Sequence, residues 1–190
     1  MRDETARGGF ADAYDEHVWD VYGFVAYRVR SREEAEDLTQ LVFERALRVW
    51  GEFDPARASA KTWLLTIARN ALIDHYRRDR SAQQQPVEGE QGEAALGASE
   101  PDERGLGPAP ELAAALETLG ARAREIIALR FGGDLTGAQI AELTGLTLAN
   151  VQQILSRSLR SLREELEAAL GSGRERAHAG EADRGDREQS

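Results

Sequence analysis

Apolar positions recur at helical spacing along most of this chain. Phe10, Tyr14, Val18, Val21, Val25 and Val29 predict a first helix over 10–28, after a polar, frayed start at 1–9. Ser31 followed by Glu34 in S-R-E-E is a capping box that opens a second helix. It runs to about Trp50 with Ala35, Leu38, Val42, Ala46 and Val49 inward. Gly51 and Asp54-Pro55 then mark a loop to Ser59. The third helix, 60–80, turns Leu64, Ile67, Ala68, Ala71, Leu72 and His75 to the core. Thr62, Thr66, Arg69, Asn70, Ile73, Arg77 and Arg80 stand opposite, with Trp63 and Tyr76 on the flanks.

Periodicity stops over 81–110 and resumes with Leu112, Ala115, Leu116 and Leu119. Gly120 separates this from a helix over 122–131, with Ile126, Ile127 and Phe131 inside. After Gly132-Gly133 comes a short helix, 137–143, with Ile140 and Ala141 inward, then the turn Thr144-Gly145-Leu146. Thr147 can cap a long helix from Leu148, whose inward stripe is Val151, Leu155, Ser158, Leu159, Leu162 and Leu166. The expected fold is therefore all-α. It has two small helical domains, 10–80 and 111–170, joined by a flexible acidic linker, 81–110, and followed by a disordered tail, 171–190.

Composition supports that division. Eleven of the twelve aromatic residues precede residue 77, and four of the five prolines fall between Pro86 and Pro110. Domains of this size have small cores of marginal stability. The chain of 190 residues has no cysteine, which excludes disulfides, thiol catalysis and thiolate metal sites. It has no run of 18 apolar residues and no signal-peptide core, so a cytoplasmic protein without membrane insertion is expected. The net charge is −10, which argues at first against nucleic acid. Yet the linker's six acids against Arg104 contribute −5 of it, and five bases against two acids leave about +3 on 60–80.

The candidate chemistry is recognition. Short helix, glycine turn and long helix make a helix-turn-helix. The long helix turns Ala149, Gln153, Ser156, Arg157 and Arg160 outward, with no acid until Glu164. Such a face can enter a major groove, base edges meeting its N-terminal residues and phosphates its arginines. His17, His75 and His178 lie on three separate segments without ligand spacing, which speaks against a metal-dependent hydrolase.

Together these segments resemble the sigma-70 superfamily of bacterial transcription initiation factors, in the two-domain extracytoplasmic-function (ECF) form. Ala35-Glu36-Asp37-Leu38-Thr39-Gln40-Leu41-Val42-Phe43 is similar to the family's region 2.2. Trp63-Leu64, Ile67-Ala68-Arg69-Asn70, Ile73-Asp74 and Tyr76-Arg77-Arg78 are similar to regions 2.3 and 2.4. Ala123 to Ile127, Leu129-Arg130-Phe131, Ile140 to Leu143 and Gly145-Leu146 are similar to region 4.

The resemblance implies a factor that binds core RNA polymerase, at the clamp helices of the largest subunit and at the flap, and promoter DNA. It implies an anti-sigma partner, no cofactor, no metal, no small-molecule substrate and no catalysis. Asp37, Gln40, Leu41, Phe43 and Glu44 would contact polymerase. Phe53, Lys61, Trp63, Thr66, Arg69, Asn70, Ile73, Arg77, Arg78 and Arg80 would melt and hold the −10 element. Thr147, Ala149, Asn150, Gln152, Gln153, Ser156, Arg157 and Arg160 would face the −35 element. Stacking on aromatic side chains offsets unpairing by about 1–3 kcal/mol per base. Trp63 could serve in that way or as a core tryptophan. Where the family often carries two cations, this chain has Gln152 and Ile154, so phosphate anchoring should be weaker than usual. Glutamine can still pair with adenine. The competing reading is a helix-turn-helix regulator with an N-terminal sensing domain, which leaves Asp37 to Gln40 beside a basic helix unexplained.

Overall fold

A computed structural model of the chain describes the backbone of residues 2–83 and 107–187, and side chains over 9–78 and 107–170. Among the described residues every regular element is helical: α1 (Arg2–Ala26), α2 (Arg32–Val49), α3 (Ala60–Gln83), α4 (Pro110–Thr118), α5 (Ala121–Ile127), α6 (Gly137–Thr144) and α7 (Leu148–Arg187). Most of the expected acidic linker lies outside the described residues.

The first three helices pack on one another. Ser31 begins α2 as expected, its hydroxyl accepting the Glu34 N–H at 3.1 Å. The Glu34 carboxylate reaches past the cap to accept the Arg30 N–H at 3.1 Å. Ala35, Leu38, Val42 and Ala46 face Leu64, Ala68, Ala71 and Leu72 in a closed core. Two polar contacts fix α3 against α2: the ion pair of Arg45 with Asp74 at 2.9 Å, and the His75 ring against the Glu34 carboxylate at 2.5 Å. The Tyr76 hydroxyl donates to the Arg28 carbonyl at the far end of the bundle.

In the C-terminal half, α4, α5 and α6 all pack against α7. Ala115, Leu116, Leu119, Ile127 and Leu162 form one apolar cluster there. Thr136 and Gln139 make a full capping box at the start of α6. Gly145 adopts φ 71° as its C-cap, a conformation that favours glycine, and so sets the turn into α7. Thr147 caps α7 as expected, accepting the Asn150 N–H at 3.2 Å.

The two halves touch more closely than a tether suggests. Ile126, Ala128, Leu129, Leu135, Ile140 and Val151 belong to the same buried cluster as Val21, Phe24, Val25, Leu64 and Leu65. At the crossing, Gly23 of α1 lies against Gly132, where a Cβ on Gly23 would stand 2.5 Å from the Gly132 carbonyl oxygen. Tyr27 packs against both apolar clusters, and burial raises its hydroxyl above the ordinary phenol range.

Several expectations are corrected. Helix α1 starts at Arg2, eight residues before the expected start at Phe10. Helix α7 continues to Arg187 through the stretch expected to be a disordered tail; no proline ends it, and it runs on through Gly171, Gly173, Gly180 and Gly185 from a helix already held in the core by Val151 and Leu162. The expected helix over 122–131 ends its α-geometry at Ile127 and closes in a π-turn, Ala128–Gly132, with Gly133 N–H donating to the Ala128 carbonyl at 2.9 Å. The wider turn shifts the register and leaves Phe131 49 % exposed instead of inside. Tyr14, Val49 and Leu159, assigned to inward stripes, are exposed at the ends and edges of those stripes, Tyr14 with its ring only part-covered by Phe43.

Candidate nucleic-acid interface

Helix α3 presents residues expected at the −10 element on one side. Thr66, Asn70, Ile73 and Arg77 are exposed there, and Arg78 is exposed on a different side of the helix. Thr66 bonds its hydroxyl back to the Thr62 carbonyl at 2.9 Å, which leaves its methyl outward. Ile73, 46 % exposed, is a large apolar group amid polar neighbours. The Arg80 side chain lies outside the described residues. Arg69 belongs to the same face but is half-buried and held by Glu125, while Lys61, half-buried on the core-side flank of α3, is held by Asp20 of α1 and by Asp134.

The loop before α3 brings aromatic rings together. Trp50 stacks on Phe53 with centroids 4.9 Å apart and planes 22° apart. Trp63 closes on both, 5.6 Å from Trp50 and 5.3 Å from Phe53. Phe10 meets Trp50 edge-on at 5.3 Å. Trp63 is half-buried, part packing and part surface. A base entering this cluster would exchange one stacking partner for another instead of wetting a bare ring.

Helix α7 turns Ala149, Asn150, Gln152, Gln153, Ser156, Arg157 and Arg160 outward, and all are exposed, as is the capping Thr147. Val151, Ser158 and Leu162 hold the opposite side in the core. The N-terminal turn of this face is uncharged and its cations come later, an order suited to base edges first and phosphate second. Arg157→Ala should therefore weaken binding to −35 DNA about equally across sequences and lower the salt slope by ~1, measured by titration at several salt concentrations. A loss confined to particular bases would instead make Arg157 a reader of sequence.

A groove of about 620 Å³ runs between α1 and α2. Its walls include Tyr14, Trp19, Tyr22, Gln40, Phe43 and Leu47. Asp37, Gln40 and Glu44 are exposed and Leu41 is half-buried. Gln40 donates to Glu44 at 3.0 Å across one turn of α2. Phe43, expected on the surface, is only 6 % exposed, its ring packed edge-on against Tyr14 at 4.7 Å, so it floors the groove. Sequence reasoning missed Trp19 and Leu47, 42 % and 53 % exposed on the groove walls. Their signal was large apolar residues outside the assigned stripes. It also missed Glu125 and Asp134, the acids that reach α3.

Among the described residues no three His, Asp or Glu side chains are placed to hold a metal ion. Among them, too, no helix is long and apolar enough to cross a membrane.

Residues 13–82 match the family Sigma-70 region 2, and residues 115–164 match Sigma-70, region 4. The ECF RNA polymerase sigma factor RpoE of Cereibacter sphaeroides is 32 % identical over 170 residues, 87 % of this chain and 91 % of that protein. The ECF RNA polymerase sigma factor BldN of Streptomyces coelicolor is 33 % identical over 165 residues; the match covers 84 % of this chain but only 62 % of BldN's length. The fold is like that of the sigma factor RpoE of Bartonella quintana, solved with the anti-sigma factor NepR, at TM-score 0.67 and 21 % identity over 84 % of this chain and 97 % of that one. Two helical halves, an exposed polar-basic face on α3 and a helix-turn-helix ending in α7 therefore have one common explanation: the chain belongs to the sigma-70 family, in its ECF group.

Proposed function

We propose that this chain is an alternative sigma factor that binds core RNA polymerase, recognises −10 and −35 promoter elements, melts the DNA and directs initiation, with no chemistry of its own. The observation that carries the reading is one chain bearing two exposed polar-basic helix faces, on α3 and α7, and a largely apolar groove on a third surface, between α1 and α2. Two DNA faces and a separate protein-docking groove are what a bridging factor needs. A ligand-sensing regulator needs only one DNA face, and it gives no role to Asn70, Ile73 and Arg77 displayed together on α3.

Within this reading the groove between α1 and α2 takes the polymerase's paired clamp helices, with Gln40 and Glu44 at its rim and Phe43 beneath, while Asp37 and Leu41 meet polymerase from the adjoining face of α2. Phe53 and Trp63 hold an unstacked −10 base, while Lys61, Thr66, Arg69, Asn70, Ile73, Arg77, Arg78 and Arg80 engage the strand. Thr147, Ala149, Asn150, Gln152, Gln153, Ser156, Arg157 and Arg160 read and anchor the −35 element. An anti-sigma factor, the kind of partner with which the Bartonella protein was solved, would act by covering these same surfaces. The chain works where polymerase works, in the cytoplasm.

Run-off transcription with purified core polymerase is the test. Added to core enzyme, the chain should yield transcripts from a restricted set of promoter templates that core enzyme alone leaves silent. A chain that neither co-elutes with core polymerase at moderate salt nor yields transcripts is not a sigma factor.

A further inference from the structure

One side chain on the outer face of α3 differs in kind from its neighbours. Ile73 is 46 % exposed, the only large apolar side chain of α3 left open among the described residues. The core side of the helix is already filled by Leu64, Leu65, Ala68, Ala71 and Leu72, so folding asks little of Ile73. An isolated surface isoleucine is common and means nothing by itself. This one stands in a row. Thr66, Asn70, Ile73 and Arg77 follow one another at i, i+4, i+7 and i+11 along one stripe, and all four are exposed. Thr66 spends its hydroxyl on the Thr62 carbonyl at 2.9 Å, so it adds a methyl group to the stripe and no donor.

Asn70, Ile73 and Arg77 thus offer an amide, an alkyl surface and a guanidinium in that order. An amide suits a base edge and a guanidinium suits phosphate. The alkyl surface suits the one base that carries a methyl group, thymine, whose C5-methyl lies on the major-groove edge. Spacing agrees with this order. The helix rises about 1.5 Å per residue, so Ile73 lies about 4.5 Å along the axis from Asn70. Bases in one strand follow at about 3.4 Å, which puts the two side chains on adjacent bases. A β-branched residue in a helix has nearly a single χ1 rotamer. The Ile73 surface is therefore fixed before DNA arrives, and little side-chain freedom is lost on contact.

We infer that Ile73 reads the 5-methyl group of a thymine in the −10 element, next to the base that Asn70 meets. This rests on the sigma-factor reading above and gives the α3 face a sequence preference at one position. Cytosine there would turn an amino group towards the alkyl surface, where it loses water and gains no partner. Deoxyuridine differs from thymidine by the methyl group alone and keeps the same pairing edge, so it isolates the contact.

The test uses holoenzyme assembled from core polymerase and the full chain, on a promoter template that it transcribes. Each −10 thymine, on either strand, is replaced singly by deoxyuridine. At one position promoter affinity should fall about fourfold, the equivalent of one buried methyl group at ~0.8 kcal/mol. With Ile73→Ala the thymine and deoxyuridine templates should bind equally at that position. Ile73→Val keeps both branches at Cβ and should still prefer thymine by about twofold or more. Arg77→Ala should weaken both templates alike and leave their ratio unchanged. Because Ile73 lies outside the core, its variants should melt with the parent and co-elute with polymerase equally well. If no deoxyuridine position matters, or if the same position matters as much in Ile73→Ala, the inference is wrong. Poorer co-elution of folded Ile73→Ala with polymerase would assign the side chain to the protein partner and overturn it too. If the parent chain gives neither transcripts nor co-elution, the sigma-factor reading itself fails and the inference falls with it.

Discussion

Replacing Trp19 with aspartate should reduce affinity for core polymerase by ~30-fold or more, while the protein remains folded. The indole is 42 % exposed on the wall of the groove between α1 and α2 and meets Tyr22 edge-on with centroids 6.1 Å apart. Large aromatic side chains at the centre of an interface typically contribute about 2 kcal/mol or more when truncated, roughly a thirtyfold change in the binding constant. A buried carboxylate facing an apolar partner adds to that loss. Within the free chain the cost is far smaller, since the edge contact with Tyr22 contributes about 0.5–1.5 kcal/mol. For a chain of this size that corresponds to only a few degrees in the unfolding midpoint. Fluorescence anisotropy with labelled protein and core enzyme, beside a thermal melt, separates the two effects. Unchanged affinity would place the docking surface elsewhere on the molecule.

The second large effect concerns stability. Phe24→Ala should destabilise the protein by about 3–5 kcal/mol, the usual range for emptying a buried phenylalanine site. It should lower the midpoint by roughly 6–20 °C. Phe24 has no exposed surface, and its cluster includes Ile126, Leu129 and Leu135 from the other half of the chain. Loss of one ring in α1 should therefore loosen α5 to α7 as well as α2 and α3. Hydrogen exchange should show protection falling in both halves, within a single melting transition. Full protection retained in α7 would mean that the halves unfold independently.

Much of this molecule was legible in the sequence because amphipathic helices carry their own register. The inward positions of α2 and α3, the Ser31 and Thr147 caps and the open face of α7 all follow from local pattern, and local forces decide them. The exposed parts of the candidate −10 and −35 faces were legible for the same reason. What escaped was set by contacts between distant segments. Leu65 belongs to neither face of a helix read alone; it is buried because Gly133 lies over it. Phe131 fits an inward position on an ideal α-helix, and the π-turn at Ala128–Gly132 rotates it out. Arg69 looks free for phosphate until Glu125, 56 residues later, is seen beside it. Trp19 counted as one more aromatic of the first domain, whereas the groove that displays it exists only once α1 and α2 have packed.

The meeting of Gly23 and Gly132 has a consequence for how this arrangement can be inherited. The obstruction to a side chain at either position is main-chain oxygen, carbon or nitrogen, on both sides. No shortening of a neighbouring side chain makes room for a methyl group there, so neither position can drift and be rescued by a second change nearby. The two glycines stand or fall as a couple, although 108 positions separate them in the sequence. A relative that keeps both retains the option of folding its two halves together in this way. A relative with alanine at either one has given it up, and that difference can be read from two letters of its sequence.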